Sequence, residues 1–102
     1  MRLLAISTLM FLGAAAPSFA EDYPARPVTL IVPYPAGGGT DVLGRLLADQ
    51  LARKWGQSVI VENSGGAAGN IGAAEAFRAA ADGHTLMVAA PGPIATNSFL
   101  YK

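Results

Sequence analysis

Two glycine-rich loops, each between a short apolar segment and a longer amphipathic one, constrain the fold of this 102-residue chain more than any other feature. The first loop runs from residue 35 to residue 41 (PAGGGTD), and the second from residue 63 to residue 70 (NSGGAAGN). A strand, a tight loop and a crossover helix in this order are typical of βαβ units in a parallel sheet. Each loop is therefore predicted to lead directly into the N-terminus of a helix. At a helix N-terminus, backbone N–H groups and the helix dipole favour the binding of a small anion.

Apolar segments predict three strands that alternate with two helices. The predicted strands are Val28–Val32, 59–61 and 85–89. The first of them is β-branched and almost continuously apolar, which is typical of a strand buried on both faces. The first helix is predicted to start at Thr40 or Asp41, one of which would cap it, and to end at Gly56; the second helix is predicted over residues 71–81. This order predicts a three-layer α/β domain with a mostly parallel sheet.

Helical spacing predicts which residues of each helix face the sheet. Four leucines of the first helix recur every three or four residues and are expected to form its buried face: Leu43, Leu46, Leu47 and Leu51. In the second helix, Ile71, Ala74 and either Phe77 or Arg78 recur at helical spacing, which supports the helix itself. Gly72 is expected to permit close packing of the second helix on a strand, because it lacks a Cβ atom. Trp55 is expected to pack at the end of the first helix.

Ligands of parallel α/β sheets bind at the carboxyl ends of the strands. Three loops of this chain, at residues 33–41, 62–70 and 90–97, leave the predicted strands from those ends and are expected to form one rim. Asp41 either stabilises the helix N-terminus, orients the loop or accepts a hydrogen bond from a ligand ammonium or hydroxyl group. The side chain of Asn70, like that of Thr40 in the first loop, either caps a helix or binds a ligand carboxylate.

The first twenty residues have the features of a secretory signal peptide. Arg2 supplies a positive charge, residues 3–16 are largely apolar, and small residues stand at Ser18 and Ala20. Cleavage is predicted after Ala20. An uncleaved membrane anchor is the weaker alternative, because Pro17 ends the apolar run well short of the about 20 residues that a membrane span needs.

Charge and composition exclude several classes of function. The chain has seven Lys and Arg and seven Asp and Glu, with no basic cluster, so the electrostatic footprint of a nucleic-acid-binding protein is missing. The absence of cysteine excludes disulfides and thiolate metal sites. His84 has no metal-ligating neighbours in the sequence and is expected to be a partly exposed side chain at a strand start. No nucleophile elbow or catalytic triad is recognisable, so no catalytic residue, metal or cofactor is predicted.

Besides the binding of a small anion, two other functional interpretations of the sequence remain open. A truncated product without independent activity is a third. The first is an exported α/β enzyme whose catalytic residues lie beyond Lys102. The second is a dinucleotide-binding domain, with Glu62 at about the position of its ribose-binding acid. The loop at residues 37–42 lacks the third glycine of the dinucleotide fingerprint, and Asp41 would point a carboxylate toward a pyrophosphate, which weighs against the second.

Four parts of the chain together resemble the extracytoplasmic solute-binding receptors of tripartite tricarboxylate transporters, the Bug family. They are residues 23–28 (YPARPV), 32–41 (VPYPAGGGTD), 61–63 (VEN) with 69–72 (GNIG), and 81–86 (ADGHTL). The resemblance extends from Tyr23 to Lys102. Where Ala67 and Ala68 stand, members of that family usually have a more glycine-rich run, and near Ser64 they usually have arginine or proline.

The resemblance implies a periplasmic-binding-protein-like fold with two lobes, which closes over a small carboxylate and delivers it to membrane permease subunits. Residues 21–102 would then be the N-terminal part of the first lobe, without the second lobe. Backbone groups, short polar side chains and bridging water would hold the ligand. Carried over to this sequence, the ligand-binding residues are Ala36, Gly37, Gly38, Gly39, Thr40, Asp41, Gly69 and Asn70.

Overall fold

The computed structural model describes residues 22–101, so the predicted signal peptide lies outside the described residues. Three strands are present: β1 (Val28–Val32), β2 (Val59–Asn63) and β3 (Thr85–Met87). The helices are α1 (Gly39–Trp55), α2 (Asn70–Arg78) and α3 (Asn97–Leu100), with a 3₁₀ turn (Ala67–Gly69) before α2 and a π-helical turn (Gly92–Thr96) before α3. Within this part of the chain, no helix is both long enough and apolar enough to cross a membrane.

The three strands form one parallel sheet in the order β2-β1-β3, which confirms the predicted α/β topology. In the pairing of β1 with β2, Val28 lies opposite Val59 and Val32 lies opposite Asn63. β2 therefore extends two residues beyond its predicted end and brings Asn63 to the carboxyl edge of the sheet. β3 is shorter than predicted, although the Val88 N–H group still donates to the carbonyl of Ile31 at 3.0 Å.

The core lies on both faces of β1. Val28, Leu30 and Val32 are almost completely buried, and Ile31 is 4% exposed. Alternate residues of a strand point to opposite faces, so both faces of β1 are covered. The first crossover runs from β1 to β2, and the second runs in the opposite direction from β2 past β1 to β3. Because both are right-handed, α1 and α2 lie on opposite sides of the sheet. This is the predicted three-layer arrangement, and burial of each large β1 side chain stabilises it by about 1.5–3 kcal/mol.

The leucine stripe of α1 is not the face that packs on the sheet, so that prediction was wrong. The residues of α1 that are buried are Asp41, Gly44 and Ala48. The predicted leucines are exposed by 65, 61 and 41% at Leu43, Leu46 and Leu47, in that order. A Cβ atom at Gly44 would lie 2.9 Å from Val32 Cγ2, so the helix approaches β1 too closely for a leucine. Small size, rather than hydrophobicity, selects the packed face of α1.

α2 also packs on the sheet through a glycine. A Cβ atom at Gly72 would lie 2.5 Å from Pro33 Cβ and 2.8 Å from the carbonyl oxygen of Ser64, which confirms the predicted close packing. Of the residues with helical spacing, Phe77 is 90% exposed and Ile71 is half exposed, so neither lies in the core. α2 begins at Asn70 and ends at Arg78.

Gly56 ends α1 as predicted. It has a φ of 66°, in the left-handed region that favours glycine, and its N–H group donates to Ala52 O at 2.9 Å. Trp55 packs edge to face on Tyr23, with ring centroids 5.5 Å apart. The C-terminal end of α1 is therefore tied to the residues that precede β1.

Candidate functional site

The loops after the three strands meet at the carboxyl edge of the sheet, as predicted. Asn63, at the end of β2, donates from Nδ2 to the carbonyl oxygen of Tyr34 at 3.2 Å. A Cβ atom at Gly69 would lie 3.1 Å from both Tyr34 Oη and Pro93 Cγ, so all three loops are in close contact there. The rim is a single surface to which each strand contributes a loop.

In the structure, residues 39–41 already belong to α1, so the first glycine loop is from here on the connection between β1 and α1, residues 33–38. It leads into an open helix N-terminus. Gly37 has a φ of 93°, and Gly38 is the N-cap of α1. The first helical hydrogen bond joins the Val42 N–H group to Gly38 O at 3.0 Å. The N–H groups of Gly39 and Thr40 precede that bond and have no partner within the helix. Apart from the adjacent residues and the backbone of α1 itself, nothing in residues 22–101 lies within 4 Å of a Cβ position at Gly37 or Gly39, so the space beside them is open.

Neither Thr40 nor Asp41 caps α1, contrary to the prediction, because the helix already begins at Gly39 and has Gly38 as its N-cap. The side chain of Asp41 has another role. Its buried carboxylate instead accepts hydrogen bonds from Gly37 N at 2.9 Å and from Asn63 Nδ2 at 2.9 Å. Arg45 Nε donates to both carboxylate oxygens at 3.1 Å. The Gly37 N–H group, followed by Asn63 and Arg45, lowers the pKa of Asp41 to about 2. The carboxylate thus orients the first glycine loop.

Arg45 and Asn63 complete this network, and the sequence analysis missed both. Arg45 Nη2 donates to Asn63 Oδ1 at 3.1 Å. The Asp41–Arg45 pair is electrically neutral, so the carboxylate does not cancel the positive potential of the helix N-terminus for an incoming anion. The spacing of Asp41 and Arg45, four residues apart on a helix, was the available signal. The contact with Asn63 depends on the pairing of β1 with β2.

The second glycine loop, residues 64–69, has a run of positive φ angles. They are 122° at Gly66, 48° at Ala67, 53° at Ala68 and 93° at Gly69. Positive φ is unfavourable for alanine because the Cβ atom crowds the backbone. Gly69 is the buried N-cap of α2, and its N–H group donates to Gly66 O at 3.1 Å.

Asn97 holds the second glycine loop from the third loop. Asn97 is 7% exposed, and its Nδ2 group donates to Ala68 O at 3.0 Å and to Asn70 Oδ1 at 2.6 Å. The carboxamide oxygen of Asn70 therefore serves to join loops, and α2 has no side-chain cap. The sequence analysis missed Asn97, which is 29 residues from Ala68 along the chain.

His84 directly precedes β3 and therefore lies at the amino ends of the strands, opposite the rim. Its side chain is 11% exposed and packs edge to face on Tyr23, with centroids 5.3 Å apart. This agrees with the predicted partly exposed side chain at a strand start. The His84 N–H group donates to Asp82 Oδ1 at 3.0 Å and, with smaller effects of Arg26 and the imidazole, lowers the pKa of Asp82. Among residues 22–101, no group of three His, Cys, Asp or Glu side chains is arranged to hold a metal.

Comparison with solved structures defines the class of fold. A structure of the periplasmic binding protein BugD is 46% identical, with a TM-score of 0.61 over 64% of this chain and 22% of BugD. An R. palustris protein solved with adipate is 45% identical, with a TM-score of 0.68 over 70% of this chain and 24% of that one. MatC from Rhodopseudomonas palustris, solved with bound malate, is 43% identical with a TM-score of 0.61, over 64% of this chain and 22% of MatC. The fold is therefore a small α/β unit of the periplasmic-binding-protein-like class.

Residues 43–102 match the family described as the tripartite tricarboxylate transporter family receptor, which is also called TctC, and the chain belongs to this family. BugT from Bordetella pertussis is 48% identical over 89 residues, which are 85% of this chain and 27% of BugT. A UPF0065 protein from Agrobacterium vitis is 44% identical over 81 residues, which are 79% of this chain and 23% of that protein. The chain thus spans about a quarter of the length of these relatives.

Proposed function

We propose that this chain is the N-terminal part of the first lobe of a periplasmic solute-binding receptor. The receptor captures a small di- or tricarboxylate, or a related organic acid, for a transporter of the tripartite tricarboxylate type. It carries out no catalysis and needs no cofactor. The observation that carries the proposal is the open N-terminus of α1, whose neighbouring carboxylate is already neutralised by Arg45. Relatives of this family with adipate or malate bound support the ligand class.

The first glycine loop supplies most of the proposed contacts. Ala36, Gly37, Gly38 and Gly39 are exposed at the rim, and Thr40 is half-buried beside them. Backbone N–H groups of the first turn of α1 donate to a ligand carboxylate, and the helix dipole favours its charge. Asp41 contributes by orienting the loop.

The second glycine loop supplies the other contacts through Gly69 and Asn70. Gly69 is buried at the N-terminus of α2, and Asn70 is half-buried next to it. Water molecules between the two loops would complete the ligand's hydrogen bonds with little loss of enthalpy. A carboxylate held from one lobe alone remains partly solvated, so the chain is expected to bind more weakly than a receptor with both lobes.

Export and transport are the remaining parts of the proposal. Residues 1–20 direct the chain to the periplasm and are removed after Ala20, and the loaded receptor then meets the permease subunits of the transporter. The mass of the protein recovered from the periplasm tests the first step. A mass equal to that of a chain beginning at Glu21 supports cleavage, whereas a mass equal to that of a chain that still includes residues 1–20 contradicts it.

A titration followed by amide NMR tests ligand binding. Malate, adipate and citrate are added in turn to the ¹⁵N-labelled chain, with sodium chloride at matched ionic strength as the blank. We expect the amides of Gly38, Gly39 and Thr40 to shift, while amides of residues at the opposite edge of the sheet do not. Shifts no larger than those in sodium chloride, for all three acids, contradict the proposed site.

A substitution in the first loop tests the assignment of the site. Gly38 has an extended backbone with a φ of −78°, and a Cβ atom there would lie 3.8 Å from Pro35 O, so the backbone of Gly38 accepts a side chain and Gly38→Val is the test variant. The added side chain covers the helix N-terminus, and the shifts caused by malate should be lost. Ala80→Val, an exposed position beyond the far end of α2, is the matched control and should leave them intact.

A further inference from the structure

The carboxamide of Asn63 joins three parts of the chain at the rim. Its Nδ2 group donates to Tyr34 O in the first glycine loop and to Asp41 Oδ1 on α1, at 3.2 and 2.9 Å. Its Oδ1 atom accepts from Arg45 Nη2 at 3.1 Å. We infer that Asn63 and Arg45 are positioning residues, which together with Asp41 fix the first glycine loop in the conformation that receives the ligand. The inference rests on the proposed function only for the ligand, because the loop conformation can be tested without it.

Asp41 acts through the loop because its carboxylate is buried and already hydrogen bonded to protein donors. Its oxygens accept from Gly37 N, from Asn63 Nδ2 and from the single Nε hydrogen of Arg45, which both oxygens share. These three donors occupy most of the about four acceptor positions of a carboxylate. The side chain of Asp41 is also only 5% exposed, so little of the carboxylate is accessible to a ligand hydroxyl or ammonium group.

Gly37 is the point at which this network controls the loop. Its N–H group is held by Asp41 Oδ2, and its φ of 93° turns the chain so that Gly38 enters α1 in an extended conformation. Asn63 fixes the same loop on the other side of this turn, at Tyr34 O. With two anchors three residues apart, the N–H groups of the helix N-terminus are directed before a ligand arrives. Such preorganisation reduces the entropic cost of binding.

Arg45 has a second effect, which concerns charge. A lone carboxylate 2.9 Å from Gly37 N would oppose an anion approaching the same loop. Arg45 neutralises it and also holds Asn63 in place. Lysine would keep the charge but cannot donate from a planar fork to Asp41 and Asn63 together. Arg45→Lys should therefore preserve the conformation of the first glycine loop only in part.

Hydrogen exchange of the wild-type chain tests the loop conformation without any substitution. Gly37 N–H is hydrogen bonded to a charged group, whereas Gly39 N–H precedes the first helical bond. We expect exchange at Gly37 to be at least about tenfold slower than at Gly39, after correction for intrinsic rates. Equal protection of the two amides overturns the inference.

Asn63→Leu, which removes the carboxamide at similar volume, tests the positioning role. We expect loss of the Gly37 protection, a shift of the Gly37 and Gly38 amides and loss of the malate-induced shifts, with β1 and β2 amides unchanged. The matched control is Asn97→Leu, which removes the hydrogen bonds of Asn97 to the second loop and should shift the amide signals of Ala68 and Asn70 instead. Retained Gly37 protection with normal malate shifts in Asn63→Leu overturns the inference.

The outcomes separate this inference from the proposed function. If wild-type Gly37 is protected but malate shifts nothing, the proposed function fails while the positioning network stands. If Asn63→Leu does not fold, Arg45→Lys provides the comparison, with partial protection at Gly37 as the expected result. Full wild-type protection and full malate shifts in Arg45→Lys would count against its role as a positioning residue.

Discussion

The two glycine loops reach the same rim but are stabilised by different kinds of force. The first is held by a buried carboxylate with a charged partner, and the space beside Gly37 and Gly39 is open. The second is held by the neutral amide of Asn97 and is crowded: a Cβ atom at Gly66 would lie 2.7 Å from Ile71 Cδ1. The difference indicates that the first loop tolerates added volume but depends on charge, whereas the second depends on shape.

The largest effect is expected at Gly72, where both loops pack on α2. A Cβ atom there would lie 2.7 Å from Pro33 Cα and 2.8 Å from Ser64 O, which are backbone atoms of the two loop segments. Gly72→Ala should therefore destabilise the chain by about 1–3 kcal/mol in urea unfolding. Gly39→Ala, which enters open space, is the control and should cost far less. Equal stability of the two variants would show that the loops move apart easily.

Acid should loosen the first loop before the second. The pKa of Asp41 in the folded chain is about 2, below its ordinary value of 3.8, so the carboxylate stabilises the fold fully above about pH 4. This contribution is lost as the pH falls through about 2. The Gly37 amide should shift over this range, whereas the amide of Gly69 should not. Asp41→Asn should abolish the shift at Gly37; a Gly37 shift that survives in this variant would assign the titration to another group.

A smaller, opposite effect is expected where alanine has a positive φ. Ala68 has a φ of 53° and a ψ of 36°, a conformation in which glycine has no steric penalty. Ala68→Gly should relieve backbone strain in the folded chain, which is stabilising, but it also increases the conformational entropy of the unfolded chain, which is destabilising. The net result should be a rise in stability of up to about 1 kcal/mol. Ala36→Gly in the first loop is the comparison and should not stabilise. A loss of stability in Ala68→Gly would mean that the Ala68 methyl group contributes packing that outweighs the strain.

The smallest effect is expected for an exposed ion pair on α1. Asp49 and Arg53 have the same spacing as Asp41 and Arg45 and lie 3.0 Å apart, but both side chains are more than half exposed. Asp49→Asn should change stability by less than about 0.5 kcal/mol in urea unfolding. It should also leave the Gly37 amide unchanged, which makes it the matched control for Asp41→Asn. A shift at Gly37 in Asp49→Asn would show that the amide responds to charge on α1 in general.

Local patterns in the sequence were sufficient for the parallel sheet, the loops and the glycine that ends α1. They failed for the packed face of α1, because leucine periodicity has the same spacing as the smaller residues Gly44 and Ala48. Only the contact of Gly44 with Val32 distinguishes the two faces, and that contact depends on how closely helix and strand approach.

The hydrogen bonds by which Asn63 and Asn97 hold the two loops could not be predicted from local patterns. Asn63 contacts Asp41 across 22 positions, and Asn97 contacts Ala68 across 29. Such pairs are set by strand order and register, which the sequence alone specified only in part. The signal peptide stays a prediction, since residues 1–20 lie outside the described chain.

The order β2-β1-β3 gives the rim a charge of its own. Because the crossover from β1 to β2 and the crossover from β2 to β3 run in opposite directions, the N-termini of α1 and α2 approach the rim from opposite sides of the sheet. Each helix N-terminus is equivalent to about half a positive charge, so the pair amounts to about one. The proposed carboxylate site thus draws about one positive charge from the peptide backbone, without a basic cluster in the sequence.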